Sequence, residues 1–227
     1  MCANAKDGIT IRIMEEKDYP IVKLFMQEEF FSGEPLSQST GEEVHLQNEK
    51  ESDEYHLGMI GEGTCLMATD DNQGGRIVGF VLAGSQYPAD LEKHRKEAEA
   101  MEQHTWGRIC RLLSKIELEA NLFERYGISK LLYSHMTSVG VSMRGRGLGS
   151  RLAATLMEVG RAKGYPLMIA YCTSFYSARQ KEALGMQCIH SLRYADYKDE
   201  QGRVIFTPAA PHTHARIMVV KLCDVPT

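Results

Sequence analysis

Apolar and polar positions along this chain repeat with two different periods, and each period predicts a different element. Residues 9–13 alternate apolar and polar side chains, as a strand with one buried face does. Two apolar runs are separated by the turn-forming residues 71–75, which predicts a hairpin. The strands predicted in this way are residues 9–13, 65–69, 76–85, 131–141, 167–171, 188–197 and 217–220.

Helical periodicity fills most of the intervals between these strands. Leu148, Leu152, Leu156 and Val159 recur at three- and four-residue spacing, which defines one apolar helix face. The predicted helices are residues 18–31, 37–54, 89–103, 106–126, 148–163 and 175–184. The pair of apolar strands on either side of the 148–163 helix predicts a right-handed parallel crossover. We therefore expect an α/β (α+β) protein.

The bulk composition narrows the class of protein without identifying it. The chain has 227 residues, of which 43% are hydrophobic and 25% are charged, and this suits one domain over residues 1–227. A net charge of −4 disfavours a nucleic-acid partner. Six dispersed cysteines without a CxxC pair favour reduced thiols over a zinc site. We find no secretion signal and no membrane span, so we expect a cytoplasmic protein, with a monomer as the favoured state.

A glycine-rich turn between the predicted central strand and its helix is the strongest local signal. Glycines at 145, 147 and 149 alternate with Arg146 and Leu148 directly before the helix. Glycine lets the backbone approach a ligand closely, and the free N–H groups at a helix start attract anions. Arg144 and Arg151 add positive charge nearby. We therefore predict that a phosphorylated ligand binds here.

The spacing of the glycines distinguishes between phosphate-binding motifs. A P-loop requires Gly-Lys-Ser/Thr after four intervening residues, and no lysine follows a glycine here. A dinucleotide fingerprint requires a longer last interval than Gly147-x-Gly149. The run from Arg144 to Gly149 instead resembles the Arg/Gln-x-x-Gly-x-Gly/Ala pyrophosphate loop of the GNAT superfamily of acyl-CoA-dependent N-acyltransferases. The order of the predicted elements is also that of the GNAT fold.

Further segments make the resemblance more specific. They resemble the insect arylalkylamine N-acetyltransferases of the dopamine type, and they lie near both ends of the chain, so the similarity covers most of it. The segments are residues 30–36, 175–179, 195–198 and 206–212. The resemblance implies a mixed twisted sheet of about seven strands, splayed at the middle and flanked by helices, with acetyl-CoA as co-substrate and no metal.

The resemblance also implies which residues contact acetyl-CoA. They lie at the end of the splayed strand, along the glycine loop and in the 175–184 helix. They are Val139, Val141, Arg144, Gly145, Arg146, Gly147, Leu148, Gly149, Ser150, Ser174 and Lys181. The backbone near Val139 is also placed to hold the negative charge that develops on a thioester oxygen.

Glu34 is the predicted general base. An alkylamine has a pKa of about 10.4, so at pH 7 its proton must be removed before it attacks a thioester. Gly33 and Pro35 end the preceding helix and fix Glu34 in a turn, because the residue before proline is extended. The insect enzymes that the chain resembles carry their base in this Glu-Pro-Leu. A solvated loop glutamate is the alternative interpretation.

Hydroxyl groups beyond the 167–171 strand are the candidates for the leaving sulfur. The resemblance places Thr173 at a position that is usually serine and matches Ser177 directly, with Ser174 or Thr173 expected to cap the helix. Many GNAT enzymes use a tyrosine as acid where this chain has Lys181. Ser177, Tyr176 or solvent must then replace that tyrosine, or the thiolate leaves unprotonated.

The expected acceptor is a small arylalkylamine such as dopamine, serotonin, tyramine or tryptamine, acetylated by direct attack in a ternary complex. Polyamines, agmatine or a protein amine are the alternatives, as is a non-catalytic acyl-CoA-binding module. A dication would favour a second carboxylate, for which Glu42, Glu43 and Asp196 are candidates. An aryl group would favour aromatic walls, for which the candidates are Phe30, Phe31, Tyr176 and Phe206.

Three other features carry weaker signals. His212 and His214 are two histidines without a third ligand, which favours a structural or substrate-loop role over a metal site. His135 in the central strand is either a core histidine or part of a proton-exit path. Cys172 lacks a matched histidine or aspartate motif, so we interpret it as a core residue.

Overall fold

The computed structural model describes residues 4–41 and 49–223, and a single mixed sheet forms its centre. Its strands are β1 (Asn4–Lys6), β2 (Ile9–Ile13), β3 (Leu66–Asp70), β4 (Arg76–Gln86), β5 (Leu131–Val139), β6 (Leu167–Cys172), β7 (Gln187–Arg193) and β8 (His214–Lys221). Its α-helices are α1 (Tyr19–Phe25), α2 (Pro35–Ser39), α3 (Glu49–Gly61), α4 (Pro88–Ala100), α5 (Thr105–Ala120), α6 (Leu122–Tyr126), α7 (Leu148–Ala162) and α8 (Phe175–Ala183). None of the helices among these residues is long and apolar enough to cross a membrane.

The eight strands lie in the order β1-β2-β3-β4-β5-β6-β8-β7. All neighbours are antiparallel except β5 and β6, which are parallel and joined by α7. This arrangement confirms the predicted mixed sheet and crossover. The strand beyond the predicted seven is β1, whose three residues are too short to show an alternating pattern.

Helices cover both faces of the sheet and bury the apolar stripes that the sequence predicted. On one face, α7 buries its four apolar positions, Leu148, Leu152, Leu156 and Val159, in a cluster with β2 to β6. On the other face, α5 buries Ile109, Leu112 and Ile116 against β5, β6 and β8. These two clusters hold the central strands from both sides.

The central strands separate partway along their length. β5 and β6 pair only over Leu132–Ser134 and Met168–Ala170, although β5 continues to Val139 and β6 to Cys172. Beyond Ser134 and Ala170 the two strands therefore diverge, and we call the gap between them the wedge. The predicted splay at the middle of the sheet is confirmed.

Three predicted elements end earlier than their apolar patterns suggested. The predicted 188–197 strand ends at Arg193, and a 3₁₀ turn over Tyr194–Asp196 follows it. Val141 is not part of β5: it begins a short 3₁₀ turn and is 62% exposed. The predicted 106–126 helix is two helices, because Asn121 adopts a left-handed conformation (φ 36°) between α5 and α6. Asparagine tolerates that conformation better than most residues, since its short polar side chain can bond locally.

The first helical segment also differs from its prediction. α1 passes directly into a π-helix over Met26–Phe30, and the wider turn changes which side chains face the core. Val22 and Met26 are fully buried, whereas Ile21 and Leu24 are about half exposed. The predicted helix over residues 37–54 is observed only as α2 and the start of α3, and Glu42 and Glu43 lie outside the described residues.

Candidate active site

Glu34 lies in a turn whose conformation the flanking residues dictate. It is extended (φ −80°, ψ 121°), as a residue before proline must be, and Pro35 begins α2 at the first helical position. The Glu34 side chain caps this helix by accepting a hydrogen bond from the backbone N–H of Ser37 at 2.6 Å. The predicted fixed turn is confirmed, and it is also a helix start.

The Glu34 carboxylate is almost completely buried and is held by three donors. Its Oε2 accepts the N–H and, at 2.7 Å, the hydroxyl of Ser37, and its Oε1 accepts the Thr173 hydroxyl at 2.7 Å. A carboxylate offers about four lone-pair positions. Three are used here, so one remains for a proton delivered directly or through water.

These contacts place Glu34 across the wedge. On one side, Thr173 directly follows β6. On the other side, the neighbouring Gly33 packs against Arg144, whose Nη2 lies 3.0 Å from the position a Cβ on Gly33 would occupy. Arg144 in turn donates from Nε to the backbone carbonyl of Val139 at 3.0 Å, at the end of β5. The predicted base is therefore tied to the ends of both diverging strands.

The glycine loop fits a bound anion. Gly145 and Gly147 both have positive φ (75° and 78°), and no other atom lies within 4 Å of a Cβ built on either. The outer surface of the loop is therefore open. Gly147 is the N-cap of α7 and has no side-chain cap, so the first N–H groups of that helix, at Leu148, Gly149 and Ser150, are available to phosphate oxygens.

Val141 and Arg144, which are predicted to contact acetyl-CoA, form hydrogen bonds with Glu29 in the segment before Glu34. The N–H of Val141 donates to the Glu29 carboxylate at 3.0 Å. Arg144 donates to the Glu29 carbonyl at 3.3 Å and lies 3.9 Å from its carboxylate. Arg146, in contrast, is exposed at the loop surface. The segment that precedes Glu34 is thus bonded to the start of the predicted donor loop.

Solved structures of known proteins match this fold over nearly its whole length, whereas no protein-family model matches the chain. An agmatine N-acetyltransferase variant in its apo form is 31% identical, with a TM-score of 0.85 over 95% of this chain and all of that one. A polyamine N-acetyltransferase of Drosophila melanogaster is 32% identical, with a TM-score of 0.81 over 94% and 99% of the two chains. Arylalkylamine N-acetyltransferase 2 of Aedes aegypti is 27% identical, with a TM-score of 0.86 over 96% and 100%.

The chain belongs to the insect arylalkylamine N-acetyltransferase family of the GNAT superfamily. The identity over almost complete chains and the splayed sheet agree on this point. The relatives are named for three kinds of amine, so membership of the family does not fix the acceptor.

The three predicted hydroxyls of this family member have different surroundings. The Thr173 proton is committed to Glu34, so this residue positions the carboxylate. Ser174 caps α8 by accepting the N–H of Tyr176 at 3.2 Å. Ser177 is half-buried one turn into α8, and its hydroxyl has no hydrogen-bond partner among the described residues. Of the three, Ser177 keeps the greatest freedom to interact with a substrate.

Among the described residues, His212 and His214 each have a partner of their own. Within the described ranges no group of three or more His, Cys, Asp or Glu residues is placed to hold a metal ion. His212 lies beside α8, where its Nδ1 accepts the N–H of Phe175 at 3.1 Å and its ring meets that of Tyr176. Burial lowers the pKa of His212, and the negative charge of Glu34 partly offsets this. His212 thus borders the candidate site.

His135 lies at a bulge in β5, among aromatic rings rather than at the Glu34 turn. Its ring contacts those of Tyr55, His56 and Tyr133. Burial holds the pKa of His135 well below its ordinary value, and burial lowers that of His56 to about 4. Both histidines are therefore neutral at pH 7, and the proton-exit role of His135 stays a prediction.

Of the aromatic residues predicted to line the site for the acceptor amine, some are exposed and others lie in the core. Phe206 is 1% exposed and stacks on Tyr197, and Phe31 packs edge-to-face against Trp106 in the core. Tyr176 is 65% exposed, and its ring meets His212. Of the candidate second carboxylates, Asp196 pairs with Arg193 through two hydrogen bonds of 3.0 Å.

Residues that sequence reasoning missed complete the site. Ser37 supplies two donors to Glu34, and its position three residues after a capping residue was a usable signal. The Tyr194 hydroxyl donates to the Thr173 carbonyl at 2.7 Å, and burial and then the Glu34 charge raise the pKa of this phenol. Neither Tyr194 nor Glu29 carries a local pattern that marks it, because each acts through a contact between distant segments.

Proposed function

We propose that the protein is an acetyl-CoA-dependent N-acetyltransferase that acetylates the primary amine of a small arylalkylamine, with Glu34 as general base. The observation that carries this proposal is the Glu34 carboxylate held at the wedge by Ser37 and Thr173, with one lone-pair position left. The loop residues 145–150 would hold the pyrophosphate, and Val139 and Val141 would line the pantetheine arm. When bound, acetyl-CoA supplies an acetyl group activated as a thioester.

Glu34 has two tasks in this mechanism. Its negative charge attracts the ammonium group of the acceptor, and its free lone pair then takes the proton, which makes the amine nucleophilic. At pH 7 that deprotonation costs roughly 4–5 kcal/mol for an amine of pKa about 10.4. Thr173 and Ser37 keep the carboxylate in place, so little reorganisation accompanies the transfer.

Family relationships and the surroundings of Glu34 support an enzyme over a non-catalytic acyl-CoA-binding module. A binding module needs the loop but not a buried, oriented carboxylate at the wedge. Burying Glu34 under three donors costs solvation, and a base explains why that carboxylate is kept.

The arylalkylamine preference rests on resemblance and on the exposed Tyr176 ring beside His212. Agmatine or a polyamine is the second candidate, because the relatives at 31% and 32% identity are named for those amines. A dication needs a second carboxylate. Asp196, the one candidate for that role among the described residues, is paired with Arg193.

A panel of amines assayed by coenzyme A release tests the proposal. We expect tyramine, dopamine and tryptamine to give higher kcat/KM than agmatine, spermidine or a peptide amine. A specificity constant for spermidine or agmatine well above those of the aryl amines would overturn the acceptor but leave the acetyltransferase. Binding of acetyl-CoA without turnover of any amine would favour the binding module.

A further inference from the structure

The short link between β6 and α8 carries a contact to Glu34. Thr173 follows the last residue of β6 and precedes Ser174, the N-cap of α8, so it belongs to neither element. Its hydroxyl donates to Oε1 of Glu34 at 2.7 Å. The orientation of the carboxylate therefore depends on how a single loop residue is held.

Tyr194 holds the backbone of Thr173 from a separate segment of the chain. The Tyr194 hydroxyl donates to the Thr173 carbonyl at 2.7 Å, and the two residues lie 21 positions apart. The paired residues of β6 and β8 end at Cys172 and Arg216, so the phenol takes the place of a strand partner for this carbonyl. A polar backbone group in the interior needs such a partner, because leaving it unpaired costs free energy.

Tyr194 is itself firmly anchored. The residue is 3% exposed, and its ring packs in the apolar cluster that also contains Leu36, two residues after Glu34. Its backbone N–H donates at 3.0 Å to the carbonyl of Thr213, the residue before β8. Burial and then the Glu34 charge raise the pKa of its phenol, so the hydroxyl stays protonated at pH 7 and remains a donor.

Threonine transmits the orientation of its backbone to its hydroxyl. A β-branched side chain has few favourable χ1 rotamers, so the direction of the Thr173 hydroxyl follows from the position of its peptide groups. Without the phenol, that peptide is free to rotate, and the hydroxyl turns away from Glu34. A hydrogen bond to a carboxylate stabilises its ionised form, which is the form that accepts a proton.

We propose that Tyr194 is a positioning residue for the base: its hydroxyl orients Thr173, and Thr173 orients Glu34 for proton transfer. This inference rests on the proposed function. The phenol keeps its own proton throughout, and the proton of the amine goes to Glu34. Removing the phenol should leave the base in place, but less well oriented and less readily ionised.

The pH dependence of single-turnover acetyl transfer to tyramine, at saturating acetyl-CoA, tests the proposal. Tyr194→Phe keeps the ring and removes only the hydroxyl. We expect the acidic limb of its profile to move to higher pH by about half a unit. The rate on the plateau should fall by about threefold or more, since a base that is slightly misplaced transfers a proton more slowly. The Kd of acetyl-CoA should stay unchanged, because the glycine loop is intact.

Variants of Thr173 test whether the effect passes through its hydroxyl. Thr173→Val removes the donor at nearly constant volume and should move the acidic limb by about one unit. Thr173→Ser keeps the donor and should stay within about 0.3 units of wild type. In the Thr173→Val background, Tyr194→Phe should cause no further shift, because the hydroxyl that it orients is already gone.

Tyr197→Phe is the matched control. Tyr197 packs against the same apolar cluster and stacks on Phe206, whereas the bond to the Thr173 carbonyl comes from Tyr194. Removing the Tyr197 hydroxyl should therefore leave both the acidic limb and the plateau as they are in wild type.

The results that would overturn the proposal differ from those that would overturn the proposed function. A Tyr194→Phe profile equal to that of wild type, with only a lower Tm, would make the phenol a structural contact. Additive shifts in the double variant would show that Tyr194 acts without Thr173. In either case a large loss of rate in Glu34→Gln would leave the base in place. An unchanged rate and profile in Glu34→Gln would overturn the base, and this inference with it.

Discussion

Two buried glutamates, Glu34 and Glu117, have similar burial and similar numbers of donors but opposite electrostatic surroundings. Glu34 is 9% exposed and Glu117 is 4% exposed. Glu34 is held by neutral groups, the N–H and hydroxyl of Ser37 and the hydroxyl of Thr173. Glu117 accepts hydrogen bonds from Gln86 and Tyr171 and forms an ion pair with His94 at 3.0 Å.

The difference lies in what balances each negative charge. For Glu117 the balance is internal, because burial opposes the charge on His94 but the hydrogen bond and attraction of Glu117 outweigh it and raise the His94 pKa. Glu34 has no cation bonded to it among the described residues and lies at the wedge, where a cationic amine would complete the pair. Burial and hydrogen bonding alone therefore do not mark a general base. What distinguishes Glu34 from Glu117, and is consistent with the proposed base, is the lack of a bonded cation among the described residues.

The largest expected effect that separates the two glutamates is on catalysis. Glu34→Gln should lower kcat by about 10²-fold or more, because it removes the proton acceptor while preserving the shape of the side chain. Isothermal titration should give an unchanged Kd for acetyl-CoA. Glu117→Gln is the control, and its kcat per folded molecule should stay within about threefold of wild type. Equal losses in both variants would erase the distinction.

For folding stability, a large effect is expected at Glu117. Glu117→Ala leaves the donors of Gln86 and Tyr171 and the charge of His94 unpaired in the interior, which should lower the free energy of unfolding by about 2–4 kcal/mol. Glu119→Ala, two residues further along α5, removes the pairs of a 39% exposed carboxylate with Lys115 and His190 and should cost about 1 kcal/mol or less. Urea unfolding measures both. A similar small loss in each variant would contradict the structural role of Glu117.

Acetyl-CoA binding should depend on the glycine loop and not on Glu34. Gly147→Asp forces a side chain into a left-handed backbone position and puts a negative charge at the open start of α7, so acetyl-CoA should bind at least about tenfold more weakly. Gly164→Asp is the matched control: Gly164 also has positive φ (74°) and open space, but it follows the other end of α7. Equal binding by both variants would place the donor elsewhere.

The smallest expected effect is on the pH dependence of folding stability, to which the His94–Glu117 ion pair contributes. The pKa of His94 is raised in the folded protein, so the pair contributes its full stability below the unfolded pKa of about 6.5 and loses it as the pH rises through the folded pKa. His94→Gln should flatten this decline by about 1 kcal/mol or less between pH 6 and pH 9. A decline that is as steep in the variant would show that another group causes it.

The two sides of the site also differ in how far the sequence reveals them. The glycine loop is contiguous, so its spacing at 145, 147 and 149 predicts the start of α7 directly, and the surface of the loop is open. The turn and the resemblance predict Glu34 as the base, but they do not indicate its contacts with Ser37 or the contact of Tyr194 with Thr173. The bond between Glu34 and Thr173 joins residues 139 positions apart, and no local period records such a contact.

The errors have the same origin. Its apolar side chain predicts Val141 in the strand, yet this residue is exposed where the chain turns. The 106–126 helix was predicted as continuous because its apolar stripe continues across Asn121, whose left-handed conformation the stripe does not register. Apolar periodicity predicts which residues are buried. It fails at positions where backbone geometry or a ligand contact determines the local structure.

The central claim is that Glu34 acts by taking a proton from the amine, and the dependence on acceptor pKa tests it most directly. The measurement compares kcat/KM of wild type and Glu34→Gln for tyramine and for a fluorinated arylethylamine that is already largely neutral at pH 7. We predict a loss of about 10²-fold or more with tyramine and nearly equal rates with the neutral amine, because that amine needs no deprotonation before it attacks and can release its proton afterwards to the leaving thiolate or to water. A loss of the same size with both amines would contradict the claim and make Glu34 a positioning residue.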